Sequence, residues 1–352
     1  MKTLRDLHQE IIEREQKSGR IFPEEQFPYQ MDCLLHPEKY EKKERMTAVC
    51  DMEALAENED VAAVAETLAD DEKKVYALIA PAFMGQFGEK VAPGQIRSAL
   101  KAAGFAGMVE VAVFADILTL KEALEFDKHV VSKSDFQLTS CCCPVWIAMI
   151  RGIYGELVPH MPGAVSPMIA AGRAVKKIYP GAVTVFVGPC LAKKKEAKEP
   201  DIADAVDYVL TFQEIKELFD AASIAPREME EDEKVHSSRA GRIYARTGGV
   251  SEAVQKTVMQ LHPDREIMVH PVQADGVKAC RQMIEDIRAG KTEANFFEGM
   301  ACQGGCVGGP SAYDDQFSSK KSRDALISQA DGRGIHENLG NYDMESISMH
   351  RE

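Results

Sequence analysis

The residues best equipped for chemistry in this chain are its thiols. Nine cysteines stand at positions 33, 50, 141, 142, 143, 190, 280, 302 and 306. Three are consecutive, in Thr139-Ser140-Cys141-Cys142-Cys143-Pro144. One follows Gly188-Pro189 as Cys190, and two flank a glycine pair in Cys302-Gln303-Gly304-Gly305-Cys306. A spacing of four brings two thiolates to one side of a turn. The adjoining glycines let backbone approach closely and turn N–H groups toward an anionic cluster. Four thiolates suit either a tetrahedral zinc ion or an iron–sulfur cluster. Structural zinc sites usually draw on two close C-x2-C knuckles, whereas here only one pair is close. An iron–sulfur cluster buried between lobes fits this scatter best, with zinc and packed or redox-active thiols as the alternatives. No C-x-x-C occurs, so a thioredoxin-like site is excluded.

The elements that must position these thiols are legible from hydrophobic patterning. VYALIA (75–80), VEVAVFA (109–115), VTVFV (183–187), DYVLT (207–211) and IMVHPV (267–272) predict strands. Helices are predicted near 96–103, 117–131, 165–178, 212–222, 251–261 and 276–288. Strands alternating with helices predict an α/β fold with largely parallel sheets. Pro81 and Cys190 then fall just past the carboxyl ends of strands, where such sheets bind ligands. Residues 1–20 predict an amphipathic helix and 51–74 one or two acidic helices. The tail from Ser318 predicts a short helix with loose ends. The 352 residues allow a large core, and 42 basic against 56 acidic side chains give a net charge of −14. That balance argues against a nucleic-acid or anionic-membrane partner. No apolar run approaches the roughly 18–20 residues of a membrane span. The acidic N-terminus lacks the apolar core of a signal peptide, so a cytoplasmic location is expected, with thiols kept reduced.

Thr139-Ser140-Cys-Cys-Pro-x-Trp146, Pro189-Cys190-x-x-Lys193-Lys194-x-Glu196 and Glu298-x-Met300-Ala301-Cys302-x-Gly304-Gly305-Cys306 together resemble, in order and spacing, the three signature loops of [FeFe]-hydrogenases. The resemblance spans residues 75–313. It implies an H-cluster: a [4Fe–4S] cubane joined through one cysteine to a diiron unit carrying CO, cyanide and a bridging amine dithiolate. By that resemblance Cys143, Cys190, Cys302 and Cys306 hold the cubane, and Cys306 is shared with the diiron unit. Cys142 matches the thiol that relays protons to the bridging amine. Lys193 matches the lysine that donates to one cyanide, Ala80-Pro81 the backbone pair beside the other, and Met300 the methionine packed over the diiron unit. Glu122 and Glu125, three apart on one helical face, match the two glutamates of the proton channel. Two lobes are implied, each with a small, mostly parallel twisted sheet flanked by helices, and the cluster is buried between them. The expected divisions are a helical extension (1–74), a first lobe (75–180), a second lobe (181–317) and a tail (318–352).

The chain also departs from the family pattern. Gly188 stands where most members have methionine, and Met168 where a glutamine follows Ser-Pro. Pro162 replaces the channel serine, Tyr244-Ala245-Arg246-Thr247-Gly248-Gly249 replaces Phe-Gly-Ala-Thr-Gly-Gly, and Pro310 replaces a glycine. Cys141 adds a third thiol to the usual pair. It is expected either to pack as a small apolar residue or to loosen the loop so that Cys142 shields the open iron. No C-x2-C-x2-C-x3-C run is present, so electrons are expected to come directly from a ferredoxin-like carrier or a partner subunit. Diiron maturation proteins are implied as further partners, and H2 and protons as substrates. An H2 sensor with slow turnover and a hydrogenase-like iron–sulfur assembly protein are the alternative functions. Cys33, Cys50 and Cys280 are expected to be packed thiols.

Overall fold

A computed structural model describes residues 60–88, 91–139, 141–232, 239–312 and 348–351. The helix predicted over 1–20, Cys33 and Cys50 lie outside them. Two all-parallel sheets organise the chain. The larger runs β2-β1-β4-β5, with β1 at Val75–Ile79, β2 at Gly107–Glu110, β4 at Val183–Gly188 and β5 at Tyr208–Thr211. The smaller runs β3-β7-β6, with β3 at Gln137–Leu138, β6 at Pro271–Asp275 and β7 at Phe296–Met300. β1 and β4 are central and almost wholly buried, as expected of apolar, β-branched-rich runs covered by helices on both faces. They pair in register, Val75 opposite Val183 through Ile79 opposite Val187. From β1 the chain turns one way to β2 and later the other way to β4. The crevice beyond the ends of β1 and β4 is therefore a topological switch point, and Pro81 and Cys190 lie at its two sides.

The α/β architecture with two small parallel sheets agrees with the expectation, but the sheets do not divide at residue 180. β1 and β2 pair with β4 and β5, and β3 pairs with β7, so each sheet recruits strands from both sides of that position. The physical reason is that parallel pairing needs a crossover connection, which carries the chain back to lie beside an earlier strand. The strand expected at 109–115 also differs. It ends at Glu110, and Ala112–His129 is a helix whose first three turns are buried on nearly every side. A helix with no solvent face carries no 3.6-residue polar period, so its apolar start imitates a buried strand. The strand expected at 267–272 lies instead at 271–275. The Asn295 side chain clips the preceding segment, accepting from His270 N at 2.7 Å and donating to Met268 O at 2.9 Å.

Numbering the helices used below in chain order, α1 covers 60–68, α2 Pro93–Ala102 and α3 Ala112–His129. α4 is Pro144–Ile153, α5 Pro167–Ile178 and α6 Ala192–Glu196. α7 is Phe212–Ala221, α8 Arg239–Ile243, α9 Gly249–Leu261 and α10 Val277–Arg288. α4 follows from the sequence of its start, with Cys143 at the N-cap and Pro144 preset at the first helical position. Among the described residues no helix is long and apolar enough to cross a membrane. The tail expected from Ser318 lies outside the described residues except for 348–351, which are tied down. Val165 N donates to Met349 O and Arg351 N to Gly163 O, while the Arg351 guanidinium reaches Glu199 and Asp201. The Gly163 carbonyl before α5 and the Glu199 and Asp201 carboxylates after α6 thus hold residues 348–351 in place.

Candidate metal centre

Three loops meet where the two sheets point their carboxyl ends. Cys143 caps α4, Cys190 follows β4, and Cys302 and Cys306 follow β7. Backbone hydrogen bonds lash these loops together: Ser311 N donates to Pro189 O (3.1 Å), Thr247 N to Gly304 O (3.2 Å) and Val307 N to Ala245 O (3.1 Å). The turn between the last two thiols needs glycine. Gly305 has φ +90°, and a Cβ there would lie 2.6 Å from Thr247 N. The four cysteines, Cys142, Lys193 and Met300 line one cavity. Among the described residues no three His, Cys, Asp or Glu side chains converge on a point that would suit a single metal ion. Thiols spread around a cavity suit a multinuclear cluster better than a tetrahedral zinc ion.

The electrostatics favour a cationic guest. Burial, together with the neighbouring Cys143, pushes the Cys190 thiol up to about 11. Burial and repulsion from the other thiols hold Cys302 and Cys306 well above the usual range, and Cys143 is raised for the same reasons. Four thiolates cannot share this space unless positive charge joins them, and iron supplies it. The residues present therefore fit a thiolate-held iron–sulfur group. Lys193, on α6 and nearly buried, donates to Glu196 Oε2 at 2.5 Å. Burial opposes its charge, but Glu196 and the thiols Cys190 and Cys142 prevail and raise its pKa. Glu196 stands three residues beyond Lys193 in the same motif. It is the counter-ion that keeps Lys193 cationic at the cavity edge.

Ala80 and Pro81 are not on the cavity wall. Ala80 directly follows β1, its N–H donating to Val187 O at 2.9 Å, and its Cβ lies against Gly188. The departure at Gly188 has a packing counterpart. A Cβ there would meet the Phe186 ring at 2.6 Å, so that ring occupies the space a larger side chain would need. Glu122 and Glu125 also lie off the wall, on α3. Glu122 is fully buried and accepts from Gln137 Nε2 at 2.8 Å. Glu125 is partly exposed and pairs with His129 Nε2 at 2.9 Å. Cys141, buried on the loop before α4, is placed where its thiol feels both Cys142 and Glu122. Cys142 favours the Cys141 thiolate, but burial and Glu122 outweigh it and raise the pKa. Beside them, Tyr244 shares a 2.6 Å hydroxyl contact with Thr119. Neither Gln137 nor Thr119 carries a motif signal. Cys141 and Tyr244 did, as the extra thiol and the departure from phenylalanine.

Glu298 fixes one wall. It is fully buried on β7, accepting from Gly248 N at 2.9 Å and Ser251 N at 2.8 Å at the start of α9. Burial raises its pKa, although those N–H groups pull the other way. Its contribution to stability is thus full below its unfolded pKa and lost as pH rises through the folded one. Glu298→Gln turns one N–H acceptor into a donor. It is expected to cost about 1–3 kcal/mol in denaturant unfolding of the cluster-free protein and to abolish that pH dependence. A loss below about 0.5 kcal/mol, the range of unremarkable surface substitutions, would show that Glu298 is not the staple.

The family model described as "Iron only hydrogenase large subunit, C-terminal domain" matches residues 73–310. The chain is 27% identical to iron hydrogenase 1 of Clostridium pasteurianum over 73% of its own length and 53% of that protein's. It is 30% identical to the periplasmic [Fe] hydrogenase large subunit of Nitratidesulfovibrio vulgaris, over 70% of each chain. It thus spans about half of the first of these curated relatives. A cytosolic Fe-S cluster assembly factor of Danio rerio is 23% identical over 56% of this chain and 59% of its own. In fold, the apo [FeFe]-hydrogenase HydA1 of Chlamydomonas reinhardtii superposes with TM-score 0.69, covering 83% of this chain and 98% of that one at 21% identity.

Proposed function

The chain belongs to the iron-only hydrogenase large-subunit family, and from that premise we propose that it interconverts H2 with protons and electrons at an H-cluster. The observation that carries this reading is the company the four cysteines keep. Cys142, Lys193 and Met300 line the same cavity, and a cubane alone needs none of them. When bound, the H-cluster supplies the electrophilic iron and the adjacent base at which H2 is split or formed. In this reading Cys143, Cys190, Cys302 and Cys306 hold the cubane, with Cys306 shared with the diiron unit. Lys193, kept cationic by Glu196, anchors an anionic ligand by a charge-assisted hydrogen bond. Met300 covers the apolar side. Cys142 holds a proton at Sγ and passes it through Cys141 toward Glu122 and then Glu125. Electrons come from a ferredoxin-like carrier or a partner subunit, in a compartment such as the cytoplasm that keeps thiols reduced. The seven cysteines among the described residues are all free.

A second reading, an iron–sulfur assembly role, draws on the similarity to the assembly factor. It leaves the cavity positions of Cys142, Lys193 and Met300 without a task. Anaerobic co-expression with diiron maturation proteins, followed by infrared spectroscopy and an H2 assay, separates the two. CO and cyanide bands with turnover are expected. Bands with negligible turnover would favour an H2 sensor, and no bands would leave the assembly role. In the matured protein Cys142→Ala is expected to lower turnover by about 10²–10⁴, the usual share of a positioned proton-transfer group, with the infrared bands retained. Turnover within a few-fold of wild type would remove Cys142 from the proton path.

A further inference from the structure

Behind Lys193, the carboxylate that holds its amine is bonded through one oxygen. Glu196 Oε2 accepts from Lys193 Nζ at 2.5 Å, whereas the buried Oε1 has no hydrogen-bond partner among the described residues. A second cation faces that bare oxygen. Arg351 Nη2 stands 3.9 Å from Glu196 Oε1, with the Arg351 side chain 8% and the Glu196 side chain 1% exposed. One buried carboxylate thus joins the cavity lysine to a residue far along the chain. We propose that Arg351 is a positioning residue for the cavity: it fixes the Glu196 carboxylate, and through it the direction in which Lys193 offers its amine to an anionic cofactor ligand. The identity of that ligand rests on the hydrogenase reading given above.

The guanidinium is itself held in place. Arg351 Nη1 reaches the Glu199 carboxylate and lies 3.3 Å from Asp201 Oδ2, and Arg351 N donates to Gly163 O at 3.1 Å. The three residues before it are held by their carbonyls. Arg173 Nη1 on α5 donates to Ser348 O at 2.9 Å and to His350 O at 3.0 Å. Met349 O accepts from Lys121 Nζ on α3 at 2.9 Å and from Val165 N at 3.0 Å. Ordering four residues in this way costs conformational entropy, and it delivers a fixed guanidinium behind Glu196. A carboxylate bonded through one oxygen turns easily, because the last torsion of a glutamate is broad. A charge facing its other oxygen removes that freedom. At 3.9 Å the contact is an ion pair rather than a hydrogen bond, and burial leaves it weakly screened. Arginine suits the task because it stays protonated and its planar fork can face several carboxylates at once. Glu199 and Asp201 balance the guanidinium, so Glu196 keeps its charge for Lys193.

The test uses the full chain, matured anaerobically, as wild type, Arg351→Met, Arg351→Lys, Glu196→Gln and the pair Arg351→Met with Glu196→Gln. Arg351→Met is expected to shift the cyanide infrared bands and to lower H2 turnover by about 10-fold, the usual cost of losing an outer partner of a ligand-holding group. Arg351→Lys should retain part of both properties. Added to Glu196→Gln, Arg351→Met should change neither further, because its effect passes through that carboxylate. Wild-type bands and turnover in Arg351→Met, or an equal further loss in the Glu196→Gln background, would overturn the proposal. Should Arg351→Met fail to fold, Arg351→Gln, which keeps two donors without the charge, takes its place. A readout independent of the cofactor is the Nζ proton signal of Lys193 in unmatured, ¹⁵N-lysine-labelled protein, assigned by its absence from Lys193→Met. Wild type is expected to show a slowly exchanging signal that Arg351→Met broadens by faster exchange with water and Arg351→Lys keeps. A signal missing from the wild type, or unchanged in Arg351→Met, overturns the proposal. Absence of CO and cyanide bands from the wild type defeats the hydrogenase reading instead, and the amine signal still decides whether Arg351 holds Lys193.

Discussion

Cys306→Ser is expected to leave the protein unable to retain its iron and without measurable H2 turnover. Cys306 opens the short turn Cys306–Gly308 and is lashed on both sides, by Val307 N to Ala245 O and by Gly305 N to Cys302 O. The backbone therefore presents position 306 to the cavity whatever side chain it carries. A serine oxygen there is a harder and far less acidic donor than a thiol, and soft iron–sulfur groups select thiolate. The remaining three thiols cannot move to compensate, because each belongs to a different strand or helix end. Anaerobic reconstitution with iron and sulfide, followed by iron quantification and visible absorbance, makes the measurement. Cys280→Ser is the control. Cys280 is buried on α10 with its thiol 3.4 Å from Met300 O, close behind the loop but off the cavity wall. It should keep its iron. Full iron in Cys306→Ser, or equal loss in both variants, would show that the thiols at the cavity are not the ligands.

Glu110→Gln is expected to be the most destabilising substitution away from the cavity, by about 3–5 kcal/mol. Glu110 ends β2 with its side chain fully buried. Arg242 on α8 donates to both its oxygens, at 3.0 and 3.1 Å, and Arg97 on α2 stands 3.9 Å from Oε1. Both arginines are about 3% exposed. Gln keeps the shape but strips the charge, so Arg242 loses its carboxylate in a low-dielectric setting, while Arg97 keeps Asp232 at 3.7 Å. At about 2–4 °C per kcal/mol, the melting temperature should fall by roughly 6–20 °C. The consequence reaches the site, because α8 leads into the 244–249 loop that closes on Gly304 and Gly305. Iron retention at elevated temperature should therefore fall with stability. Thermal and denaturant unfolding of the unmatured protein checks the first part. A loss under 1 kcal/mol would mean that Arg242 finds an alternative partner in the buried Asp116.

Much of the candidate site was legible in the amino-acid sequence, because a cluster demands one residue type and that type is rare. Cys143, Cys190, Cys302 and Cys306 could be picked out, with Lys193 and Met300 beside them, and all line one cavity. The strands at 75–79, 183–188 and 208–211 were equally plain, being short β-branched-rich runs bounded by proline, glycine or a helix cap. Patterning failed where burial was complete. Only the first turn of α3, residues 112–115, hid as a strand, because it is buried on every side, and β3, two residues long, gave no period at all.

The pairings that tune the site were settled only by the tertiary structure. Glu110 and Arg242 are 132 residues apart, and Gly248 and Glu298 are 50. No local spacing rule reaches that far. Cys141 was visible as an extra thiol, but its place near Cys142 and Glu122 depends on how the loop before α4 lies against α3. Composition and motif name the donors because metal chemistry selects side-chain types directly. The partners of those donors are chosen by chain crossovers that bring distant segments together, and that choice exists only once the chain has folded.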